Sequence, residues 1–137
     1  MNKVLIDTNV ILDIALNRKP FVKKSGEFLQ HIEKVKIPAY ISATTVTDIY
    51  FIAQRNTSHN KAIKFLKNLF ELVEIAGVES VSILNALNSK MKDFEDAVQT
   101  ETAKQNDIPI IITRNQADFN NSGLKIYSPE EFLNLNY

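Results

Sequence analysis

Val4-Leu5-Ile6-Asp7-Thr8-Asn9-Val10-Ile11-Leu12 is the stretch that decides the fold. Three apolar residues run into an acid and two small polar residues, and a new apolar run follows. An uninterrupted apolar run marks a strand buried on both faces, as in a parallel sheet with helices on either side. Asp7 then stands at the carboxyl end of that strand, the edge where open α/β sheets place their ligands. Asp7 or Thr8 also suits the cap of a helix beginning near Asn9, because a short oxygen-bearing side chain accepts from the first free amides. Capping and chemistry make the same demand on one acid, so the choice depends on other carboxylates reaching that edge.

Working outward, the spacing predicts helix from Asn9 to about Asn17 and again over Phe21 to Val35, where Phe28, Leu29 and Ile32 share a face. Ile37 to Ile41 reads as a strand entered through Pro38, and Ser42 or Thr44 caps the next helix. Thr57-Ser58 starts another, Leu72 to Ile75 reads as a strand, and Ser80 caps a helix bearing Val81, Leu84 and Leu87. A helix from about Asp93 to Asn106 leads into a second buried strand, Pro109 to Thr113, followed by a turn to Phe119. Lys125 to Tyr127 reads as an edge strand, and Ser128-Pro129-Glu130-Glu131 is a capping box that opens a terminal helix reaching Leu135. Strands alternating with helices predict a three-layer α/β/α sandwich around a parallel sheet, one domain over residues 1–137.

Composition narrows the chemistry. With 45% apolar residues the chain can build a core, which argues against intrinsic disorder. It has no cysteine, which removes disulfides, a thiol nucleophile and thiolate zinc sites. His31 and His59 are far apart and fall in polar helical stretches, so a histidine-built metal site is not expected and both read as surface residues. Sixteen basic residues balance sixteen acidic ones, which gives no support to a role coating nucleic acid nonspecifically. Arg18, Lys19, Lys23 and Lys24 cluster after the first helix and read as a solvated face. No signal peptide and no apolar run long enough to cross a bilayer are read, so the cytoplasm and no membrane association are the expectation.

The acids recur at comparable places. Asp7 follows the first strand, Asp48 lies one turn into the helix after the second, Asp93 and Asp96 open the late helix, and Asp118 lies beyond the last buried strand. Each alone is explained as a cap or a loop acid. Together they lie at element ends that a parallel sheet sets side by side. Carboxylates without histidine or cysteine are hard oxygen ligands suited to Mg²⁺ or Mn²⁺. Such ions serve phosphodiester hydrolysis, by generating hydroxide and stabilising the leaving oxygen.

Ile6-Asp7-Thr8-Asn9-Val10, Asp93-Phe94-Glu95-Asp96-Ala97 and Thr113-Arg114-Asn115-Gln116-Ala117-Asp118-Phe119, in that order, resemble the PIN-domain family, which includes ribonuclease toxins of the VapC type. The resemblance implies a cluster of acids binding Mg²⁺ or Mn²⁺, hydrolysis of single-stranded RNA, a homodimer and, for a toxin, an antitoxin protein as partner. By the same resemblance Asp7 and Asp96 are metal ligands, Asp48 completes the cluster, and Asp118 binds a second ion or orients water. Asn9 and Thr113 support them, Asp93 is auxiliary, and Asn115 shares with Asp118 the variable fourth position. Asp48 stands where the family usually has glutamate. The reading is therefore a metal-dependent endoribonuclease, the toxin of a toxin–antitoxin pair. Its alternative is a catalytically weak PIN module acting as a nucleic-acid-binding or regulatory subunit. A phosphotransferase of the haloacid-dehalogenase type ranks last, because it needs a second aspartate where this chain has Asn9.

Overall fold

The computed structural model describes residues 2–135. Five strands form one sheet: β1 (Val4–Ile6), β2 (Ala39–Ser42), β3 (Glu74–Ala76), β4 (Ile110–Ile112) and β5 (Lys125–Tyr127). Their spatial order is β3-β2-β1-β4-β5, and every pairing is parallel. Around them lie α1 (Thr8–Ala15), α2 (Phe21–Val35), α3 (Ala43–Asn56), α4 (His59–Leu69), α5 (Ser80–Leu87), α6 (Phe94–Gln105) and α7 (Pro129–Leu133), with a 3-10 turn at Gln116–Phe119.

The central strands are apolar at every position because each faces a core on both sides. Val4, Ile6, Ile110 and Ile112 join Val10, Phe28, Ile49, Leu66 and Phe132 on one face. Leu5 and Ile111 point the other way, to Ala103, Ile108 and Phe119. All six strand residues of β1 and β4 are fully buried, and each such side chain contributes about 1.5–3 kcal/mol. The expected three-layer α/β/α sandwich with a parallel sheet is what the chain forms.

Several boundaries differ from expectation for local reasons. Ile37 belongs to the end of α2, its amide bonded to Ile32 O after a left-handed Lys36, so β2 begins only at Ala39. Leu72 and Val73 likewise bond back to Leu69, which delays β3 to Glu74. Ser80 is not a cap: Glu79 holds that position and its side chain makes no capping bond. On α5 the buried residues are Ser82 and Ala86, small enough for close approach to Ala97 and Val98 of α6. Val81, Leu84 and Leu87, large apolar residues of this helix, face outward at 41%, 59% and 65% exposure. Elsewhere the caps are as read: Ser42, Ser58 and Asp93 accept from Thr45, Lys61 and Asp96, and Ser128 forms the full capping box with Glu131. His31 is half-buried, edge-on to Phe132, rather than on the surface. Among the described residues no helix is long and apolar enough to cross a membrane.

The sheet places its switch point beside β1. From β1 the chain reaches β2 on one side and β4 on the other, and crevices that bind ligands form at such points. Asp7 follows β1 there, Thr113 follows β4, and the Asp7 amide extends the ladder by bonding Ile112 O at 2.8 Å.

Candidate active site

Asp7 is a cap with more donors than capping needs. It is the N-cap of α1, accepting the Thr8 amide on Oδ1 at 2.8 Å. Two further donors arrive from distant parts of the chain. Gln99 Nε2 donates to Oδ1 at 2.8 Å, and Thr113 Oγ1 donates to Oδ2 at 2.7 Å. The Asn115 amide in turn donates to Thr113 Oγ1 at 3.0 Å, which orients that hydroxyl toward the carboxylate. The carboxylate is 5% exposed, and among the described residues no lysine or arginine forms an ion pair with it. A buried charge held by neutral donors alone retains its attraction for a cation.

Asp96 stands in the first turn of α6, half-buried, with its amide capped by Asp93 Oδ1 at 2.9 Å. Burial, then the charges of Asp7, Asp93, Asp118 and Glu95, push its carboxyl up to about 7. Asp93, Asp96 and Asp118 line one cavity of about 380 Å³, together with Met91, Lys92, Asn120 and Asn121. Asp7 does not line that cavity, and neither does Asp48. Asp48 lies with Thr44, Thr47, Phe94 and Glu95 around a neighbouring cleft of about 290 Å³, and burial raises its pKa. Glu95 lines the cleft of Asp48, and the charge of Asp48 first, then burial and the charges of Asp93 and Asp7, raise its pKa. Thr8 and Thr45 hydroxyls meet at 3.0 Å, and Ser42 reaches Thr45 at 3.0 Å, joining the starts of α1 and α3.

Three features of the site differ from the sequence reading. Asn9, expected to support a carboxylate, makes no recorded bond to Asp7, whose Oδ1 is already filled by Thr8 and Gln99; its own Oδ1 is buried without a partner. Arg114, inside the third motif, turns away from the acids: its guanidinium grips Asp13 through Nε at 2.7 Å and Nη2 at 3.1 Å and stacks on Phe21 at 4.0 Å. Arg18 also reaches Asp13, at 3.8 Å, so part of the basic cluster serves the fold. Gln99, Glu95 and Lys92 were missed. Glu95 had a signal in the acid run Asp93-Phe94-Glu95-Asp96, whereas Gln99 had only its place one turn after Asp96.

The donor set is chemically suited to a hard divalent cation: clustered carboxylates, one of them held up near neutrality by burial and then by its neighbours, and the orphaned Asn9 oxygen, which can accept from a water. As the side chains stand, no three acids among the described residues are already closed around a metal position. Mg²⁺ requires no such cage, since it keeps several waters and takes one or two carboxylates.

A five-stranded parallel sheet between helices, with acids gathered beyond its strand ends, places the chain among the α/β/α proteins. The model of the PIN domain matches residues 3–117, and the chain belongs to that family. It is similar to Ribonuclease VapC1 of Aquifex aeolicus (strain VF5), 27% identical over 135 residues that cover 95% of this chain and 92% of that one. Its fold is similar to DNA-bound VapBC from Salmonella typhimurium, with TM-score 0.70, 13% identity, and 94% and 99% of the two chains covered. A toxin–antitoxin complex from Klebsiella pneumoniae aligns with TM-score 0.66 and 23% identity, covering 92% of this chain and 97% of that one.

Proposed function

We propose that the protein is a metal-dependent endoribonuclease that hydrolyses phosphodiester bonds of single-stranded RNA, and that it is the toxin of a toxin–antitoxin pair. The observation that carries this reading is the buried Asp7 carboxylate, held by neutral donors and close enough for its charge to help raise Asp96. Membership of the PIN family and the similarity to a ribonuclease of the VapC type support RNA as substrate. The toxin–antitoxin complexes among the fold neighbours support an antitoxin partner.

Asp7 and Asp96 are the residues to hold Mg²⁺ or Mn²⁺, with Asp118 and Asp93 at the cavity wall. When bound, such an ion neutralises phosphate charge and lowers the pKa of water toward neutrality. The protein's own part is placement. Thr113 and Gln99 fix the Asp7 carboxylate, and Asp118 orients water on the cavity side. Lys92 offers the cavity a charge for phosphate, and Asn120 and Asn121 offer neutral amides to the nucleotide. Asp48 lies with Glu95 in the neighbouring cleft and completes the acidic cluster from there. The exposed Phe51, Leu84, Leu87 and Phe94 support assembly as a homodimer.

The test is cleavage of a fluorescent single-stranded RNA with Mn²⁺ or Mg²⁺, then with excess chelator. We expect cleavage that requires the ion and disappears in Asp7→Asn. Cleavage by Asp7→Asn at the parent rate would overturn the assignment. The separation of Asp48 from the cavity favours one second reading, a catalytically weak module that binds nucleic acid or regulates a partner. RNA binding without cleavage under the same conditions selects it.

A further inference from the structure

We propose that Gln99 is a positioning residue of this site: its side-chain amide holds the Asp7 carboxylate in the orientation that receives a divalent cation. This rests on the nuclease reading above and adds to it a residue from outside the three motifs.

Position 99 lies on the buried face of α6 beside Ala97 and Val98, one turn beyond Asp96, and is 4% exposed. Packing alone favours an apolar side chain there. Gln99 Oε1 is buried with no hydrogen-bond partner, and an unsatisfied polar atom of this kind is destabilising. The amide must therefore be retained for its other end. That end, Nε2, donates to Asp7 Oδ1 at 2.8 Å across a sequence separation of 92. The reverse amide orientation would set Oε1 against a carboxylate oxygen, two acceptors facing each other, so the charge of Asp7 fixes which end points inward.

The three donors to Asp7 are not equivalent. The Thr8 amide is the next residue's own and reaches Asp7 without any tertiary contact. Gln99 and Thr113 are supplied only by the fold, one to each carboxylate oxygen, and together they stop the group from rotating. Gln99 also does this without neutralising the charge. A lysine or arginine in its place would occupy Asp7 as Arg114 occupies Asp13. A neutral donor orients the ligand and leaves its charge for the metal.

The experiment is a double-mutant cycle. Gln99→Met, which keeps volume and removes the donor, and Gln99→Asn, which keeps the amide one methylene short, are made in the parent and in Asp7→Asn. Mn²⁺ binding is read by calorimetry, fold stability by melting in chelator, and RNA cleavage as kcat and KM. We expect both Gln99 variants to bind Mn²⁺ about 10–100-fold more weakly than the parent, with kcat lowered and KM for RNA little changed. In the Asp7→Asn background neither should alter the residual Mn²⁺ response, because the residue through which Gln99 acts is gone. Unchanged Mn²⁺ affinity in folded Gln99→Met, or equal losses in both backgrounds, would overturn the proposal. If neither variant folds, the Gln99 side-chain ¹⁵N resonance decides: it should shift when Mg²⁺ is added to the parent and stay still in Asp7→Asn. A resonance that does not move in a parent that binds Mg²⁺ would equally overturn it. A parent that neither binds Mn²⁺ nor cleaves RNA instead removes the nuclease reading, which separates the two failures.

Discussion

Asp7 and Asp13 stand at opposite ends of α1, and both are buried, Asp13 completely and Asp7 to within 5%. Their partners differ in kind. Asp13 is held by the paired nitrogens of Arg114, with Arg18 nearby, so its charge is neutralised inside the protein. Asp7 is held by an amide of the main chain, an amide of a side chain and a hydroxyl, none of them charged. Both solutions satisfy the hydrogen-bonding capacity of a carboxylate, but only the second leaves a negative charge to be matched from outside. The same residue type on the same helix is thus charge-paired at one end and left without an ionic partner among the described residues at the other, as the proposed metal site requires. Nothing in the helix itself makes the distinction.

The comparison is most sharply broken at its structural half. Arg114→Met strands the Asp13 charge with only the more distant Arg18, and should destabilise the fold by about 3 kcal/mol, measured by urea unfolding. The double replacement Asp13→Leu with Arg114→Met should recover most of that loss, since an apolar pair needs no compensation. If Arg114→Met alone is neutral, the pair is not what satisfies Asp13. At the functional half, Asp7→Asn should reduce cleavage on the order of 100-fold or more while leaving the metal-free protein as stable as the parent or more so. Mn²⁺ should raise the melting temperature of the parent, because only the native state binds it, and do so much less in the variant. Equal Mn²⁺ responses would place Asp7 in the same class as Asp13.

A finer division runs within α6. Asp93 is the cap and Asp96 the half-buried acid among like charges. Asp93→Ala should lower stability by about 1 kcal/mol through the lost cap, whereas Asp96→Asn should remove cleavage and spare the fold. The reverse pattern would exchange their roles. The smallest effect is on pH. In chelator, Asp96 is protonated in both folded and unfolded chains below its ordinary value of 3.8, and ionised in both well above 7. Between those limits the unfolded chain releases the proton first, so this group's contribution to stability is lost as pH rises. Glu95 and Asp48, also raised, act in the same direction. The parent's melting temperature should therefore fall more than that of Asp96→Asn between about pH 5 and pH 8. Parallel curves would show that Asp96 feels no such crowding.

The sequence by itself determined the sheet and its edge. Val4-Leu5-Ile6 and Ile110-Ile111-Ile112 could be read as strands because burial on both faces leaves no polar position to obscure the pattern. The caps Ser42, Ser58, Asp93 and Ser128 were legible because each acts within three residues of itself. Where the element ends were misjudged, at Ile37 and Leu72, an apolar residue was closing a helix rather than opening a strand, and composition does not separate the two. Only the tertiary structure decided that α5 turns Leu84 and Leu87 outward, because the small residues Ser82 and Ala86 are what α6 accepts. It also decided the partners of the buried acids. Gln99 meets Asp7 across 92 residues and Arg114 meets Asp13 across 101, distances over which no local periodicity carries information. Whether a carboxylate is neutralised or left charged depends on those meetings, and they exist only once the sheet has brought the chain together.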